Sequence, residues 1–491
     1  MSSRAASIAG RLRDRGVIPA WIAIFALWRA GAGDQTEAMW MAREGQDVLA
    51  GSPLIHPDRW SWAPQPWDFI PTSPAWELMS GLFWGIGGTW GLFALTALTV
   101  AASLGALAWM SRSLGASPTA TVVAVLTTAT LAAGIVTARA GLPAFLLLLV
   151  EFVVCWNLRA QIREVRFAKA LIGLLSATFA WSFVGVWLHG SWSLYSVMAA
   201  AGLAFLFVNR EFGPGRRRAG LAGAAALGSL LGACAGPLGP GVWANTLRVS
   251  RECSGLVKEW TSPWKIDGVW VGIWCIGVVI AISLVASAFR HRRTDSVFRP
   301  ESLFLMASVG GIAAGATAIR FLLLGLIAAT PLIAQRLTIG SIADSTQKLR
   351  DRLGERAHEP YWRNVVALLA AAALPLCAIQ AAATPRGPDA AISALPQGCN
   401  LFADDWVTKP VELWRPDVRV WIDGRQDYWG RQRLLLSNRY LAAEVQGRLV
   451  PNGTTCVLLE TGANKRLAQR LDDSSTWHRT ARTDAFTVWV R

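Results

Sequence analysis

Apolar runs of about 20 residues recur along most of this 491-residue chain, and the segments that join them carry the charge. A run of that length crosses the hydrocarbon core of a bilayer as one α-helix, because lipid forces every backbone group to find its partner inside the segment. Candidate spans lie near 17–32, 88–110, 118–137, 141–158, 170–188, 191–208, 219–236, 268–289, 302–318, 320–336 and 363–383, with a further short helix at 75–87. The fold class that follows is a polytopic α-helical membrane protein of about 11 spans. Hydrophobic residues make up 53% of the chain and charged residues only 16%, outside the ordinary soluble range.

The formal charge of +15 would suggest nucleic acid in a soluble protein. Here the basic residues sit in short loops, where they orient helices, and no nucleic-acid partner is expected. With Arg4, Arg11, Arg13 and Arg15 placed in the cytoplasm, the loops that fall inside carry Arg112; then Arg159, Arg163, Arg166 and Lys169; then Arg210 and "GRRR" (215–218); then "RHRR" (290–293); then the stretch from Arg336 to Arg363. This satisfies the positive-inside rule at every turn. The chain is expected to be a multi-pass protein of the plasma (inner) membrane, its first span a retained signal anchor.

An odd number of spans puts the C-terminus outside. Residues 33–77, an outside loop, hold seven acids against two basic residues. A second outside loop, 237–267, is Pro/Gly-rich and too long for a mere connector. We divide the chain into a transmembrane domain, 1–384, and a soluble extracytoplasmic domain, 385–491. In the latter, "DVRVWIDGR", "TTCVLLET" and "DAFTVWVR" read as strands and "QRLLLSNRYLAAEVQGRL" and "ANKRLAQRL" as helices, which predicts a small α/β domain. Cys399 and Cys456 lie together in this outside domain, where oxidation is permitted; sequence leaves their pairing open.

On this topology the unusual polar residues gather at the outer boundary: Asp34, Glu37 and Asp58; Arg139 in "TARAGLP"; His189 in "VGVWLHG"; Lys258 and Glu259 in "VKEWTSPW"; Arg320 in "TAIRFLL". An ionisable group costs about 2.5–3.5 kcal/mol at a span centre and less near an end, so each needs a partner or a wet cavity. Plain roles compete at every position. Arg139 and Arg320 could snorkel to headgroups, or bind a phosphate, which the guanidinium fork fits. His189 could hydrogen-bond at an interface, and Asp58 could cap a turn. Trp60, Trp62, Trp67 and Trp76 offer faces that sugars stack on, but Trp is usual at membrane interfaces. In "WIDGRQDYWG", Asp423, Arg425 and Asp427 read either as a structural ion pair or as the docking edge of the domain. Asp34 stands out, because Gly33 frees the backbone and "TEAMWMAREGQDVLA" forms an amphipathic helix with Ala38, Met41, Ala42, Gly45, Val48 and Leu49 on one face.

An acid after the first span, then "GSPLIHPDRWSWAPQPWDFIPTSPAWEL", "ARAGLPAFLLLL", "WLHGSW", "GPLGPGVWAN" with "VKEWTSPW", "IRFLLLGLIAATPLIA" and late "RPDVRVWIDGRQDYWG" follow one another in an order that resembles bacterial membrane glycosyltransferases of the GT-C superfamily. The resemblance covers most of the chain and implies a GT-C-like fold. It implies transfer of a sugar from a polyprenyl-phosphate carrier to a cell-envelope glycan or glycolipid at the extracytoplasmic face. It implies that Asp34 matches the catalytic base, with Asp58 and Glu259 as second acids. Arg320, Arg139 and His189 are then the candidates for the donor phosphate, and Glu37, Trp60, Trp62, Lys258, Asp423 and Arg425 for acceptor or domain docking. Many members carry a DxD or ExD pair where this chain reads Asp34-Gln35-Thr36-Glu37, so a divalent metal cofactor stays an open question. Two rival readings remain. One is a non-catalytic envelope-assembly protein that binds a polyprenyl lipid; the other is a transporter, which lacks the expected internal repeat.

Overall fold

The structure, a computed structural model, describes residues 18–31, 36–290, 298–339 and 387–491. In chain order its helices are α1 (Ile18–Gly31), α2 (Thr36–Leu49), α3 (Pro74–Ser113), α4 (Pro118–Leu131), α5 (Gly141–Asn157), α6 (Arg159–Glu164), α7 (Phe167–Leu188), α8 (Trp192–Phe207), α9 (Gly215–Ala233), α10 (Val242–Cys253), α11 (Gly268–Arg290), α12 (Pro300–Ala314) and α13 (Ile319–Ile339). Helices thus occupy each candidate span from 17–32 to 320–336; the candidate at 363–383 lies outside the described residues. Four of the helices, α3, α7, α11 and α13, are long and apolar enough to cross a membrane. Others are shorter than expected. The run expected at 118–137 stops as a helix at Leu131 after 14 residues, roughly 21 Å at 1.5 Å per residue, because the chain turns at "AAGIVTAR" to deliver Arg139.

The chain forms two compact units. The first comprises Met1–Gly33, Thr96–Trp243 and Lys258–Thr384. Its helices approach closely where glycine removes a side chain. A Cβ on Gly228 would stand 2.1 Å from Thr178 Oγ1 and one on Gly232 2.3 Å from the Phe179 carbonyl oxygen, so "GSLLG" of α9 rides directly on α7. Gly311 of α12 and Gly325 of α13 form a similar crossing. Small residues at such spacing let dispersion and weak polar contacts hold helices together where lipid offers no hydrophobic drive. Thr128 of α4 and Thr330 of α13 share a buried hydrogen bond of 2.8 Å.

The second unit comprises Asp34–Leu95, Ala244–Val257 and Pro385–Arg491. By contacts, the first long loop therefore groups with the C-terminal residues, a division that differs from the one at residue 384. The C-terminal part contains α14 (Ala390–Ser393), β1 (Asn400–Ala403), α15 (Asp405–Trp414), β2 (Arg419–Val420), α16 (Gln426–Leu441), β3 (Cys456–Glu460), α17 (Lys465–Asp472), β4 (His478–Arg482) and β5 (Phe486–Val490). The strands form one mixed sheet in the order β2-β1-β3-β5-β4, parallel among β2, β1 and β3 and antiparallel beyond. Three expected strands are present, the first reduced to Arg419–Val420; β1, β4 and α15 complete the domain. Cys399 and Cys456 form a disulfide across 57 residues.

The loop is built into this sheet. Ser61 pairs in parallel with Val420 at the β2 edge, through Val420 N–H to Trp60 O at 2.9 Å and Trp62 N–H to Val420 O at 3.2 Å. An edge strand carries unpaired backbone groups, and residues 60–62 satisfy them. Helix α2 buries Ala38, Met41, Ala42 and Gly45 of the expected apolar face, while Val48 is half-buried and Leu49, at the helix end, is exposed. It crosses the start of α3 so tightly that a Cβ on Gly45 would lie 2.0 Å from the Glu77 carbonyl oxygen.

Candidate anion-binding site

Within the first unit, three separate turns bring polar side chains together. Between α4 and α5 the chain folds back on itself, Arg139 N–H bonding Thr137 O at 2.8 Å. Arg29 of α1 fixes this turn by donating to the Val136 and Ala133 carbonyls at 2.9 and 3.0 Å. Between α7 and α8, "HGSW" turns sharply: His189 is extended, and Trp192 packs its ring against Gly185, where any Cβ would stand 2.0 Å from the indole. The third turn is the single 3₁₀ turn Lys258–Trp260. The two residues after it are tied to the start of α13, through Ile319 N–H to Thr261 O at 3.1 Å, and to the α12–α13 connection, through Ser262 Oγ to Ala316 O at 2.8 Å.

Arg139 Nη1 donates to Glu259 Oε2 at 3.1 Å, while Arg320 Nη1 stands 3.9 Å from Glu259 Oε1. Arg320 also lies over the Trp260 ring at 4.9 Å and donates through Nη2 to Ser191 Oγ at 3.2 Å. The backbone N–H of Ser191 donates to His189 Nδ1 at 3.0 Å. A nitrogen that accepts carries no proton, so the neutral ring bears its hydrogen on Nε2. Burial and the adjacent Arg320 push His189 down to about 3, which keeps that ring neutral at physiological pH. Arg320 occupies the first turn of α13 and Arg139 lies two residues before α5, next to its N-cap Ala140. Helix N-termini already carry partial positive charge, so cations there are electrostatically misplaced unless an anion joins them. The N-cap residue of α5, Ala140, makes no side-chain capping hydrogen bond.

The second unit holds a different cluster. Arg425 donates from Nε to both oxygens of Asp423 at 3.0 and 2.9 Å, and from Nη2 to Asp58 Oδ1 at 2.6 Å. Trp60 lies 4.3 Å from its guanidinium carbon and Trp429 Nε1 bonds Asp423 at 3.0 Å. All three side chains are fully buried. Burial pushes Asp423 up, but the charge and hydrogen bonds of Arg425 more than reverse this and hold it below the usual carboxylate range. Glu412, beside it, is pushed well up by burial and by the charge of Asp423.

The structure therefore brings together Arg139, Arg320, His189 and Glu259 in one unit, and Asp58, Asp423, Arg425 and Trp60 in the other. Asp34 lies outside the described residues, as does the Lys258 side chain. Glu37 is taken by Lys409 of α15 at 2.5 Å and by Trp40 Nε1 at 3.2 Å. Trp60 and Trp76 are buried, and Trp62 stacks beside Trp421 with its N–H on the Leu401 carbonyl; among the four sugar-platform candidates, Trp67 keeps half its surface exposed. Sequence reasoning missed Ser191, Trp260, Gly141 and Arg29. The Gly-Ser step after His189 was the available signal for the first. Among the described residues, no group of three or more His, Cys, Asp or Glu side chains is arranged to hold a metal ion.

No protein-family model and no curated protein sequence matches the chain. Solved structures are similar to it. The archaeal oligosaccharyltransferase AglB from Archaeoglobus fulgidus, in complex with an inhibitory peptide and a dolichol-phosphate, superposes with a TM-score of 0.52 at 12% identity, covering 92% of this chain and 70% of that one. The apo form of the A. fulgidus oligosaccharyltransferase gives 0.50 at 11% identity, over 89% and 69%. The form tethered by a disulfide to an acceptor peptide containing the NVT sequon gives 0.50 at 12%, over 91% and 69%. At such identity the fold is what is shared. The chain has the fold of these oligosaccharyltransferases, the fold that the sequence motifs led us to expect.

Proposed function

We propose that this protein is a membrane glycosyltransferase that moves a sugar from a polyprenyl-phosphate donor to a cell-envelope glycan or glycolipid acceptor. In this reading the N-terminus is cytoplasmic and the C-terminal domain extracytoplasmic. The observation that carries it is the convergence of Arg139, Arg320 and the Nε2–H of His189 near the uncapped start of α5. Two guanidinium groups, a neutral donor and a helix N-terminus suit a phosphate. The likeness of the fold to a protein solved with a dolichol-phosphate, itself an isoprenoid-lipid phosphate, supports the same donor class.

The chemistry follows from charge. An acceptor hydroxyl attacks the anomeric carbon and loses its proton to a carboxylate, while the carbon–oxygen bond to the phosphate breaks and the lipid phosphate leaves with added negative charge. Arg320, Arg139 and His189 stabilise that charge. Of the three acids considered for the base, Asp58 is engaged by Arg425 and Glu259 by Arg139, so Asp34 is the residue we assign. The engagement of those two acids also favours, as a second reading, a protein that binds the lipid without transfer.

The test uses purified protein, a labelled polyprenyl-phosphate sugar and envelope acceptor. Asp34→Asn keeps shape but loses the proton-accepting charge, and a rate loss of about 10²–10⁴-fold is expected. A variant within about threefold of wild type, far short of that range, removes Asp34 from the role. Wild type that binds the lipid phosphate but transfers nothing selects the second reading.

A further inference from the structure

We propose that Gly141 and Ser191 shape this phosphate site: Gly141 leaves a recess in which one phosphoryl oxygen is held by Arg320 and His189, and Ser191 aims both donors into it. The inference rests on the donor chemistry proposed above and adds two residues to it. A Cβ built on Gly141 would stand 3.6 Å from Arg320 Nη2 and 3.6 Å from His189 Nε2. Both nitrogens thus border one small volume at the first residue of α5. That Cβ position is at bonding distance from the Gly141 Cα, so a phosphoryl oxygen would lie farther out, at van der Waals distance from Cα and within hydrogen-bond reach of both nitrogens.

Ser191 sets the direction of both donors. Its backbone N–H occupies His189 Nδ1, which leaves the ring hydrogen on Nε2, the nitrogen that borders the recess. Its Oγ takes one hydrogen of Arg320 Nη2, so the second hydrogen on that nitrogen is left for another acceptor. The first N–H groups of α5 add donors that no intrahelical carbonyl satisfies. Folding alone does not ask for glycine at 141. It is absent from the positive-φ glycines, and an added methyl group would make only ordinary contacts of 3.6–3.8 Å. Alanine is also the better helix former. The missing methyl group serves the recess.

Gly141→Ala fills that volume without strain, which makes it the sharpest test. Affinity for sugar-free polyprenyl phosphate and for inorganic phosphate would be measured on the full chain in nanodiscs, with Tm recorded in parallel. Gly141→Ala is expected to keep or raise Tm and to weaken polyprenyl phosphate by about tenfold or more, the scale of one lost hydrogen bond to a charged group. Ser191→Ala should raise the donor Kd and KM with Tm unchanged, and Ser191→Thr, which restores the oxygen, should recover them; a structural role would not show that rescue. Should Gly141→Ala lose Tm, the Ser191 pair decides. Gly141→Ala binding as tightly as wild type overturns the proposal, and so does a wild type that binds neither phosphate. Loss in the polyprenyl arm together with the inorganic arm assigns the recess to the phosphoryl group itself; loss in the inorganic arm alone overturns the lipid-phosphate role. Wild type that binds phosphate through this recess yet transfers no sugar leaves the inference standing and removes only the glycosyltransferase reading.

Discussion

Arg425 and Arg320 each meet carboxylates and an indole face, yet their surroundings differ. The Arg425 side chain is 0% exposed, as is that of its partner Asp58, and four aromatic rings lie within 6 Å of its guanidinium carbon. Arg320 is 17% exposed, and its carboxylate, Glu259, is 32% exposed, standing 3.9 Å away and shared with Arg139. Around Arg425 acids outnumber the cation, with Asp423, Asp58 and Glu412 all acting on it. Glu259 is approached by two arginines, Arg139 and Arg320. The first cluster is closed in on itself and joins the loop bearing Asp58 to the strand end bearing Asp423. The second is partly exposed and lies beside the starts of α5 and α13. Partial exposure and helix N-termini are what an anionic ligand needs; complete burial among carboxylates is what an internal clamp needs.

The largest effect that could break this comparison is in the clamp. Arg425→Ala leaves Asp58 and Asp423 buried without their cation, and removing one member of a buried ion pair typically costs about 3–5 kcal/mol. We expect the second unit to lose its thermal transition and to be cut by protease between Asp58 and Asp423, with no dependence on added phosphate. A fully folded Arg425→Ala protein with selectively lost phosphate binding would reverse the two roles.

Arg320→Ala is expected to do the opposite. Its partly exposed pairing contributes little to stability, so Tm should change little, while turnover at low donor concentration falls by about 10²–10³-fold if its charge acts in the transition state. Arg320→Lys keeps the charge but loses the fork, and should recover only part of the rate. Normal turnover in Arg320→Ala would return this residue to a structural place at the helix end.

Much of the frame was legible in the sequence, for a physical reason. Lipid-spanning helices must be long and apolar, and that pattern survives without any alignment; helices lie on each described candidate span. Helix ends were read less well, as at α4, because a turn that presents Arg139 is itself apolar. Arg139, Arg320 and His189, which the structure brings together, stood out in the sequence because an arginine or histidine between apolar runs is costly and therefore conspicuous. Their supports did not. Ser191 acts through a backbone N–H, which no side chain announces, and Gly141 acts by what it lacks. The pairing of Glu37 with Lys409 spans 372 residues, and the meeting of Asp58 with Arg425 spans 367; no local pattern records either. Trp60 and Trp62 looked like sugar platforms since an indole shows the same letter whether it faces a ligand or, as here, a guanidinium and a neighbouring tryptophan.

The smallest effect sharpens the comparison, since the two units hold histidines of opposite sign. His56 has both ring nitrogens facing acceptors, Nε2 at 2.8 Å from Glu44 Oε1 and Nδ1 at 2.8 Å from Pro57 O. Only a doubly protonated ring donates to both, and the hydrogen bond to Glu44 raises its pKa despite burial. His189 has Nδ1 occupied by a donor and is pushed down to about 3 by burial and Arg320. Linkage then gives opposite slopes. The stability that His56 contributes is fully present below the ordinary histidine value of about 6.5 and is lost as pH rises through its raised value. For His189 the unfolded chain takes up a proton that the folded ring refuses, so stability falls as pH drops from about 6.5 toward about 3. Melting curves of wild type, His56→Asn and His189→Gln from pH 4 to pH 9 separate the two. His56→Asn should flatten the loss on the alkaline side, His189→Gln the loss on the acid side, each by less than either arginine effect. If His189→Gln leaves the acid slope unchanged, the ring is not held neutral, and the donor that faces Gly141 loses its basis.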